Sequence, residues 1–219
     1  MTIELINVSK TYRSRRIGKK QVLHDVNATF ERGHSYGILG LNGAGKSTLL
    51  RIICGAERPT HGRVWRDVTI SWRLGITSSF NSTLTGMENL RFVCQIYDAD
   101  YEEVADFVQD FADIGNAIHE PVRTYSSGMR GRLAFGLSMA IRFQVYVIDE
   151  GLSAGDWTFQ EKAQQEFENR REESDILMVS HAAGAMKGIC DRGGVVHKGR
   201  LSLFDSLEEA SEYYERISA

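Results

Sequence analysis

The segment from Gly40 to Thr48 constrains the fold of this chain more than any other. It reads Gly-Leu-Asn-Gly-Ala-Gly-Lys-Ser-Thr and fits the pattern G-x-x-x-x-G-K-[ST] in full. A short apolar run, Ser35 to Leu39, precedes it, and Ser47 to Cys54 follows with the pattern of a helix that stops at Gly55. This order predicts a buried strand, a loop and a helix. Glycines in such a loop let backbone N–H groups converge on phosphate oxygens, which a Cβ would obstruct.

Two side chains of this loop carry the chemistry of a nucleotide site. Lys46 supplies a mobile ammonium for the β- and γ-phosphates, and the Ser47 hydroxyl can bind Mg²⁺. The helix that starts near Ser47 adds the positive end of its dipole. We expect a nucleotide to contact Gly40, Asn42, Gly43, Ala44, Gly45, Lys46, Ser47 and Thr48. A chance glycine-rich turn is the alternative, and the flanking strand and helix argue against it.

A second apolar strand, Val145 to Ile148, ends in the acid pair Asp149 and Glu150. Side chains alternate along a strand, so the two carboxylates point in different directions and can do different work. We expect Asp149 to orient Mg²⁺ through water. Glu150 is expected to position or deprotonate the attacking water, which typically contributes about 10²–10⁴-fold to a rate.

One histidine follows a strand in a comparable position. The run Ile176 to Val179 ends at Ser180 and His181. An imidazole there can donate to the γ-phosphate and so distinguish ATP from ADP. The other histidines have no such context and are interpreted as surface or core residues; they are His24, His34, His61, His119 and His197.

Composition excludes several broad classes of protein. The chain has 26 Lys and Arg against 29 Asp and Glu, a net charge of −3, so no overall attraction to nucleic acid is expected. Its longest apolar stretch, Leu133 to Ile148, is broken by Arg142 and is too short to span a membrane. The first residues lack the pattern of a signal peptide. Three cysteines without metal-ligand spacing fit free thiols in a reducing cytosol; they are Cys54, Cys94 and Cys190.

A local basic cluster departs from this balance. It consists of Arg13, Arg15, Arg16, Lys19 and Lys20. One interpretation is a solvated loop between two strands. The other is a patch that meets anionic lipid headgroups or an anionic cargo. The sequence leaves both open.

The segment Tyr125 to Met129 lies between the phosphate-binding loop and the acid pair. With those motifs in this order, the chain resembles the ATP-binding subunits of ABC transporters from about residue 3 to residue 200. The resemblance implies ATP and Mg²⁺ as ligands, and a signature motif that contacts ATP bound to a second copy. The signature residues would be Ser126, Ser127, Gly128 and Met129, with Ser127 and Met129 in place of the usual glycine and glutamine.

The same resemblance implies roles for four further residues. Tyr12 matches the aromatic residue that stacks on adenine, and His181 matches the switch histidine. Asp156 ends a segment, Ser153 to Asp156, that resembles the dimer-contacting D-loop. Asn81 stands at or near the position of the Q-loop glutamine, where the side chain would contact Mg²⁺ or the attacking water. Asparagine keeps the amide but is one methylene shorter.

The implied fold is an α/β, P-loop NTPase of the ABC ATPase type, with a parallel-sheet core. Residues 1–219 would form a single domain. Within it, residues 1–81 and 142–219 would form a RecA-like core plus an N-terminal antiparallel β subdomain. Residues 82–141 would form a helical subdomain that carries the signature. From pattern alone we also expect a hairpin over Gly62 to Trp72, a late hairpin around Lys198, and helices capped at Thr85, Asp100 and Ser206.

Two segments narrow the resemblance to exporters of polysaccharides. Leu84 to Asn89 and Thr124 to Ala140 resemble those of capsular polysaccharide export ATPases of Gram-negative bacteria. That family implies a homodimer, peripheral on the cytoplasmic face of the inner membrane, with an integral membrane permease as partner. It also implies indirect partners among periplasmic and outer-membrane polysaccharide export proteins, and no nucleic acid.

Several alternatives remain at this point. The exporter could carry O-antigen or teichoic acid instead of capsule. A non-transport ABC-type ATPase that acts on DNA or ribosomes is a second class, although such proteins usually carry coiled coils or paired ATPase domains. A small-molecule P-loop kinase is a third, but it has no use for a Ser-Ser-Gly-Met segment ahead of the acid pair.

Overall fold

The computed structural model describes residues 2–14, 18–74, 80–149 and 157–218. Its strands are β1 (Thr2–Ser14), β2 (Gly18–Glu31), β3 (Tyr36–Leu39), β4 (His61–Arg66), β5 (Ile70–Arg73), β6 (Val145–Asp149), β7 (Asp175–Ser180), β8 (Arg192–His197) and β9 (Arg200–Phe204). Its α-helices are α1 (Lys46–Ile53), α2 (Gly86–Tyr97), α3 (Tyr101–Ala112), α4 (Ser127–Ala140), α5 (Trp157–Arg171) and α6 (Leu207–Ser218). Short 3₁₀ helices lie at Gly115–His119, Val122–Thr124 and Ala183–Met186. None of the helices in these ranges is both long and apolar enough to cross a membrane.

A six-stranded sheet with the order β5-β6-β7-β3-β8-β9 forms the centre of the fold. Its strands run parallel except β9, which is antiparallel to β8. All four residues of β3 are buried, as expected for a parallel strand covered on both faces. Leu39 pairs with Ser180, and Val179 pairs with Asp149, so the carboxyl ends of β3, β7 and β6 reach the same edge.

A second, antiparallel sheet with the order β2-β1-β4 packs beside the first. Its inward residues Leu5 and Leu23 join one buried cluster with Ile38 of β3 and Leu49 of α1. The apolar face of the small sheet therefore covers the phosphate-binding helix. A parallel core with an N-terminal antiparallel sheet and helices confirms the predicted fold class.

The predicted hairpin over Gly62 to Trp72 is wrong. Strand β4 pairs with β1 in the small sheet, whereas β5 pairs with β6 in the large one. The chain crosses between sheets at Thr69, whose carbonyl accepts from the Val145 backbone N–H at 3.1 Å. The alternation of apolar and polar residues shows which face of a strand is buried but not which strand it pairs with. A hairpin and two strands in different sheets therefore have the same sequence pattern. The late hairpin is confirmed: β8 and β9 pair, and Lys198 and Gly199 turn with φ of 47° and 74°.

The chain divides into two compact units. The first comprises Met1–Arg73, Gln144–Gly151 and Ser174–Ala219, and the second comprises Leu74–Phe143 and Leu152–Glu173. The second is built from α2 to α5 around aromatic rings that stack or meet edge to face. The Phe111 ring lies 5.9 Å from that of Phe135 and 5.4 Å from that of Phe159.

Side-chain caps fix the helix starts. The Thr85 hydroxyl accepts from the Glu88 N–H at 3.1 Å while the Glu88 carboxylate accepts from the Thr85 N–H at 2.8 Å, a complete capping box. At α3 the Asp100 carboxylate accepts from the Glu103 N–H at 2.9 Å, and Ser206 caps α6 in the same way. All three predicted caps are confirmed.

Candidate nucleotide-binding site

The phosphate-binding loop connects β3 to α1 and depends on two glycines. Gly45 precedes α1 with φ of 115°, a conformation that residues with a Cβ rarely adopt. A Cβ at Gly40 would lie 2.6 Å from the Val196 carbonyl oxygen, too close for any other residue. Between them the Ala44 N–H donates to the Leu41 carbonyl at 3.1 Å. The backbone of the loop therefore curves closely around the start of α1.

Lys46 lies inside the phosphate-binding loop. The side chain is 6% exposed, and its ammonium donates to the carbonyls of Gly40 at 2.7 Å and Leu41 at 3.2 Å. It stands at the first residue of α1, where the backbone N–H groups carry the positive end of the helix dipole. A phosphate oxygen is a stronger partner for an ammonium than a neutral carbonyl. The geometry therefore favours an anion at this loop.

An open cavity of about 300 Å³ adjoins the loop. It is lined by Val22, Asn42, Gly43, Gly45, Lys46, Ser47 and Thr48. Its volume is at the lower end of the range of ligand pockets, roughly 300–1,000 Å³. Six of the eight loop residues expected from the sequence line it. Val22 of β2, which the sequence did not suggest, lines it as well.

The carboxyl edge of the large sheet gathers the other predicted groups of the first unit. Asp149 is the last residue of β6, and exposed His181 follows β7, which lies between β6 and β3. Neighbouring strands are about 4.8 Å apart, so Asp149 and the loop after β3 stand on the order of 10 Å from each other along the sheet. Glu150 and Asp156, predicted as catalytic base and D-loop aspartate, lie outside the described residues.

Asp149 already has a partner that the sequence analysis missed. The Arg73 guanidinium, at the end of the adjacent strand β5, forms an ion pair with its carboxylate. The two side chains are 25% and 17% exposed, so water screens the pair only in part. Parallel pairing of β5 with β6 creates this contact, and nothing in the local pattern of Ile70–Arg73 indicates it.

Tyr12, the predicted adenine contact, is held by its hydroxyl. It donates to the Glu57 carboxylate at 2.8 Å and accepts from the Arg51 guanidinium at 3.0 Å. The Thr48 hydroxyl lies 3.4 Å away. Burial opposes ionisation of Glu57, but hydrogen bonds from Lys10, Arg51 and Tyr12 prevail and lower the pKa of this carboxyl to about 2. Glu57 and Arg51 were also missed.

These residues fit ATP and Mg²⁺. Gly40 and Gly45 form a cradle that a Cβ would fill, and Lys46 supplies a buried positive charge. Ser47 and Asp149 offer the hard oxygen donors that Mg²⁺ prefers. Among the described residues no group of three or more His, Cys, Asp or Glu could hold a metal by itself. Mg²⁺ is usually bound through one or two protein oxygens plus phosphates.

In the second unit, the residues predicted to form the signature begin α4. Ser126 is the N-cap, and its hydroxyl accepts from the Met129 N–H at 3.2 Å. Ser126 and Ser127 are exposed, and a Cβ at Gly128 would meet only the Ser126 hydroxyl, at 3.8 Å. The start of a 14-residue helix with exposed hydroxyls and no acidic residue in its first turn is suited to an anion.

Asn81 uses its amide locally. Its side-chain oxygen accepts from the Thr83 N–H at 3.1 Å and from the Thr83 hydroxyl at 2.8 Å. Its backbone N–H donates to the buried Asn89 side chain at 2.9 Å, and its carbonyl accepts from the Asn89 amide at 3.1 Å. The oxygen predicted to face Mg²⁺ or water is therefore engaged in a turn. Asn89 is a further residue that the sequence analysis missed.

The segment after Asn81 is bonded to the segment before the signature. The Val122 N–H donates to the Leu84 carbonyl at 2.9 Å, and the Arg123 N–H donates to the Ser82 carbonyl at 2.8 Å. An isolated bridge at Thr85 and Pro121 continues the pairing. Residues 82–85 and 121–123 thus form a small antiparallel pair, called here the 82–123 pair.

Comparison with known proteins decides the family. The family model described as ABC transporter matches residues 23–153, more than half of the chain. The chain belongs to the ABC transporter family. The match runs from β2 through the phosphate-binding loop, the signature and the acid pair.

Curated relatives of this ABC protein match over nearly their whole length. The capsule polysaccharide export ATP-binding protein CtrD of Neisseria meningitidis serogroup B is 45% identical and covers 98% of this chain and 99% of its own. The ATP-binding protein BexA of Haemophilus influenzae is 43% identical with 97% of each chain covered. The teichoic acids export ATP-binding protein TagH of Staphylococcus haemolyticus is 33% identical, covering 99% of this chain and 89% of its own.

A solved structure supports the fold independently. The dimeric structure of a post-hydrolysis state of the ATP-binding cassette MJ0796, bound to ADP and Pi, superposes with a TM-score of 0.75. It covers 94% of this ABC protein and 98% of the solved chain at 22% identity. At that identity the likeness establishes the fold of the cassette.

Proposed function

We propose that this chain is the ATP-hydrolysing subunit of an ABC exporter that drives capsular polysaccharide across the inner membrane. The observation that carries the proposal is the 45% identity to a capsule polysaccharide export ATP-binding protein over almost the full length of both chains. The buried Lys46, the glycine cradle and the acidic end of β6 support ATP as the energy source.

The residues of the first unit divide the work as follows. Lys46 and the N–H groups at the start of α1 hold the phosphates, and Tyr12 stacks on adenine. Ser47 and Asp149 hold Mg²⁺, which when bound neutralises phosphate charge. Glu150 positions and deprotonates the attacking water, and His181 donates to the γ-phosphate. Asn81 acts near this site once its amide leaves Thr83.

A second copy of the chain completes each site. Ser126, Ser127, Gly128 and Met129 of that copy contact the phosphates from the opposite side, and Asp156 contributes to the contact between copies. Two ATP molecules then join two subunits, because phosphate charge is met from both sides. Hydrolysis removes that bridge and lets the subunits separate.

Residues 82–141 serve as the helical subdomain that passes this motion to a permease, and residues 1–81 and 142–219 serve as the RecA-like core with its β subdomain. The subunit is peripheral, on the cytoplasmic face of the inner membrane. Periplasmic and outer-membrane polysaccharide export proteins act further along the route. No nucleic acid is a partner, in agreement with the net charge of −3.

Teichoic acid is a less supported cargo, since the relative named for it shares 33% identity against 45% for the capsule relative. Export of O-antigen remains a second candidate within exporters. The relatives named for capsule and for teichoic acid are export ATP-binding proteins, which speaks against the kinase and against an ATPase acting on DNA or ribosomes.

The test replaces the chromosomal copy with Lys46→Ala or Glu150→Gln and measures polysaccharide inside the cell and at its surface. We expect intracellular accumulation and loss of surface capsule for both variants, and wild-type amounts for Glu4→Ala, an exposed change on β1. Normal surface capsule in a Lys46→Ala strain would overturn the proposal. Purified Glu150→Gln protein should form an ATP-dependent dimer by light scattering.

A further inference from the structure

Five side chains of the first unit form a connected polar group around the Tyr12 hydroxyl. The group, called here the Tyr12 cluster, consists of Lys10, Tyr12, Thr48, Arg51 and Glu57. Lys10 and Tyr12 lie on β1, Thr48 and Arg51 lie on α1, and Glu57 follows α1. The cluster therefore ties the strand that carries the base-contacting ring to the helix that begins with Lys46.

Glu57 is the centre of this group. Its carboxylate accepts from the Tyr12 hydroxyl at 2.8 Å and from the Arg51 guanidinium at 2.9 Å on one oxygen. The other oxygen lies 2.8 Å from the Lys10 ammonium. Three donors hold the carboxylate ionised, with a pKa of about 2. Charge-assisted hydrogen bonds of this kind are about twice as strong as neutral ones and fix geometry well.

The ring of Tyr12 is restrained at two places. Its hydroxyl is fixed by Glu57 and Arg51, and the Lys10 ammonium lies 5.3 Å from the ring centroid. Because stacking depends on the orientation of the ring plane, a fixed hydroxyl sets how the ring meets a planar ligand.

We propose that Glu57 is a positioning residue for the nucleobase: by holding the Tyr12 hydroxyl it orients the ring that stacks on adenine. The inference rests on the proposed function, which assigns adenine to Tyr12. It adds that affinity for the base end of ATP depends on a carboxylate outside the phosphate-binding loop. Thr48, which lines the cavity and lies 3.4 Å from the Tyr12 hydroxyl, places the cluster beside the phosphate end.

The test measures binding of ATP and of inorganic tripolyphosphate by calorimetry, which needs no turnover. Tripolyphosphate has the phosphates but no base. Tyr12→Ala should weaken ATP binding about 10-fold, the size expected for loss of one base–aromatic stack. Tyr12→Phe keeps the ring and removes the hydroxyl, and Glu57→Ala removes the acceptor; each should weaken ATP binding about threefold. Neither should change binding of tripolyphosphate.

The double variant shows whether Glu57 acts on ATP binding through the Tyr12 hydroxyl or independently of it. If Glu57 acts through the Tyr12 hydroxyl, Tyr12→Phe combined with Glu57→Ala should weaken ATP binding no more than either single change. Glu57→Gln keeps an acceptor for the hydroxyl and should recover most of the ATP affinity lost in Glu57→Ala. Glu4→Ala, an exposed carboxylate on the same strand, is the matched control and should bind both ligands normally.

The outcomes are distinguishable. The positioning role would be overturned if Glu57→Ala lost equal affinity for ATP and for tripolyphosphate. It would also be overturned if the affinity losses of the two single variants multiplied in the double variant. Neither result would affect ATP binding by the wild type. No effect of Tyr12→Ala on ATP would overturn the assignment of adenine to Tyr12, and with it this inference. No ATP binding by the wild type, or normal binding by Lys46→Ala, would instead overturn the proposed function. Thermal unfolding of each variant identifies any that fails to fold.

Discussion

Arg73 and Asp149 form an ion pair at the ends of the adjacent strands β5 and β6. Asp149 is the carboxylate proposed for Mg²⁺, so the guanidinium is the positive charge that it meets in the absence of the metal. Under the proposed function, Mg²⁺ and Arg73 would therefore compete for this carboxylate.

Arg73→Gln should show both the contribution of the ion pair to stability and its effect on Mg²⁺ binding. Loss of a partly buried ion pair is expected to lower the free energy of unfolding of the nucleotide-free protein by about 1–2 kcal/mol. The Mg²⁺ concentration for half-maximal nucleotide binding should fall, since the carboxylate no longer has a competing cation. Chemical denaturation and a Mg²⁺ titration of fluorescent nucleotide binding measure the two quantities. Arg63→Gln, at an exposed site on β4, should change neither, and an unchanged Mg²⁺ midpoint in Arg73→Gln would contradict the competition.

Asn89→Ala should destabilise the second unit. The Asn89 side chain is 3% exposed and bonds to both backbone groups of Asn81 and to the Thr85 carbonyl at 2.8 Å. Its removal breaks these three hydrogen bonds, which should cost about 2–3 kcal/mol in unfolding free energy. Urea unfolding gives the number. Thr85→Ala, which removes one helix cap, should cost about 1 kcal/mol. An Asn89→Ala cost no larger than that of Thr85→Ala would show that the hydrogen bonds of the Asn89 side chain contribute little.

Glu57 should contribute stability that acid removes. Its folded pKa of about 2 lies below the usual value of 4.5, so the folded state favours the ionised carboxylate. The contribution is complete above pH 4.5 and is lost as the pH falls toward 2. By linkage it amounts to at most about 3 kcal/mol. The difference in unfolding free energy between wild type and Glu57→Gln should be constant from pH 7 to pH 5 and shrink below pH 4.5. A difference that grows on acidification would contradict the assignment.

Two inactive variants should restore hydrolysis when mixed. Lys46→Ala damages the phosphate-binding loop and Ser126→Arg damages the signature, so either homodimer has two defective sites. A mixed dimer has one site that combines intact Lys46 with intact Ser126. Random pairing should therefore recover about a quarter of wild-type ATP hydrolysis, as the symmetry of a twofold dimer requires. Full activity of a single variant, or of wild-type monomers at high dilution, would refute sites shared between copies.

Local features of the fold could be predicted from the sequence. The phosphate-binding loop, the caps at Thr85, Asp100 and Ser206, and the late hairpin depend on residues within a few positions of one another. Helix α5 was not predicted, although Phe159, Ala163 and Phe167 recur every four residues and are buried. Its remaining residues are so polar that this narrow apolar stripe was not recognised.

Long-range contacts could not be predicted in the same way. The partner of β5, the Arg73–Asp149 pair and the Tyr12 cluster each join residues far apart in the chain, by 76 positions for Arg73 and Asp149. Their formation depends on which strands become neighbours, and alternation of side chains does not specify that. The same holds for the wrong hairpin. Asn89 is closer in sequence to Asn81, but a polar residue in a helix gives no sign that it will turn inward.

The 82–123 pair has a consequence for how the second unit can evolve. Its two hydrogen bonds of 2.8 and 2.9 Å tolerate little stretching, so residues 82–85 and residues 121–123 should move together. A substitution in either segment should therefore disturb the other segment. A change that one exporter tolerates can then fail in another exporter whose partner segment differs. Chimeras between exporters should therefore exchange both segments of the 82–123 pair together.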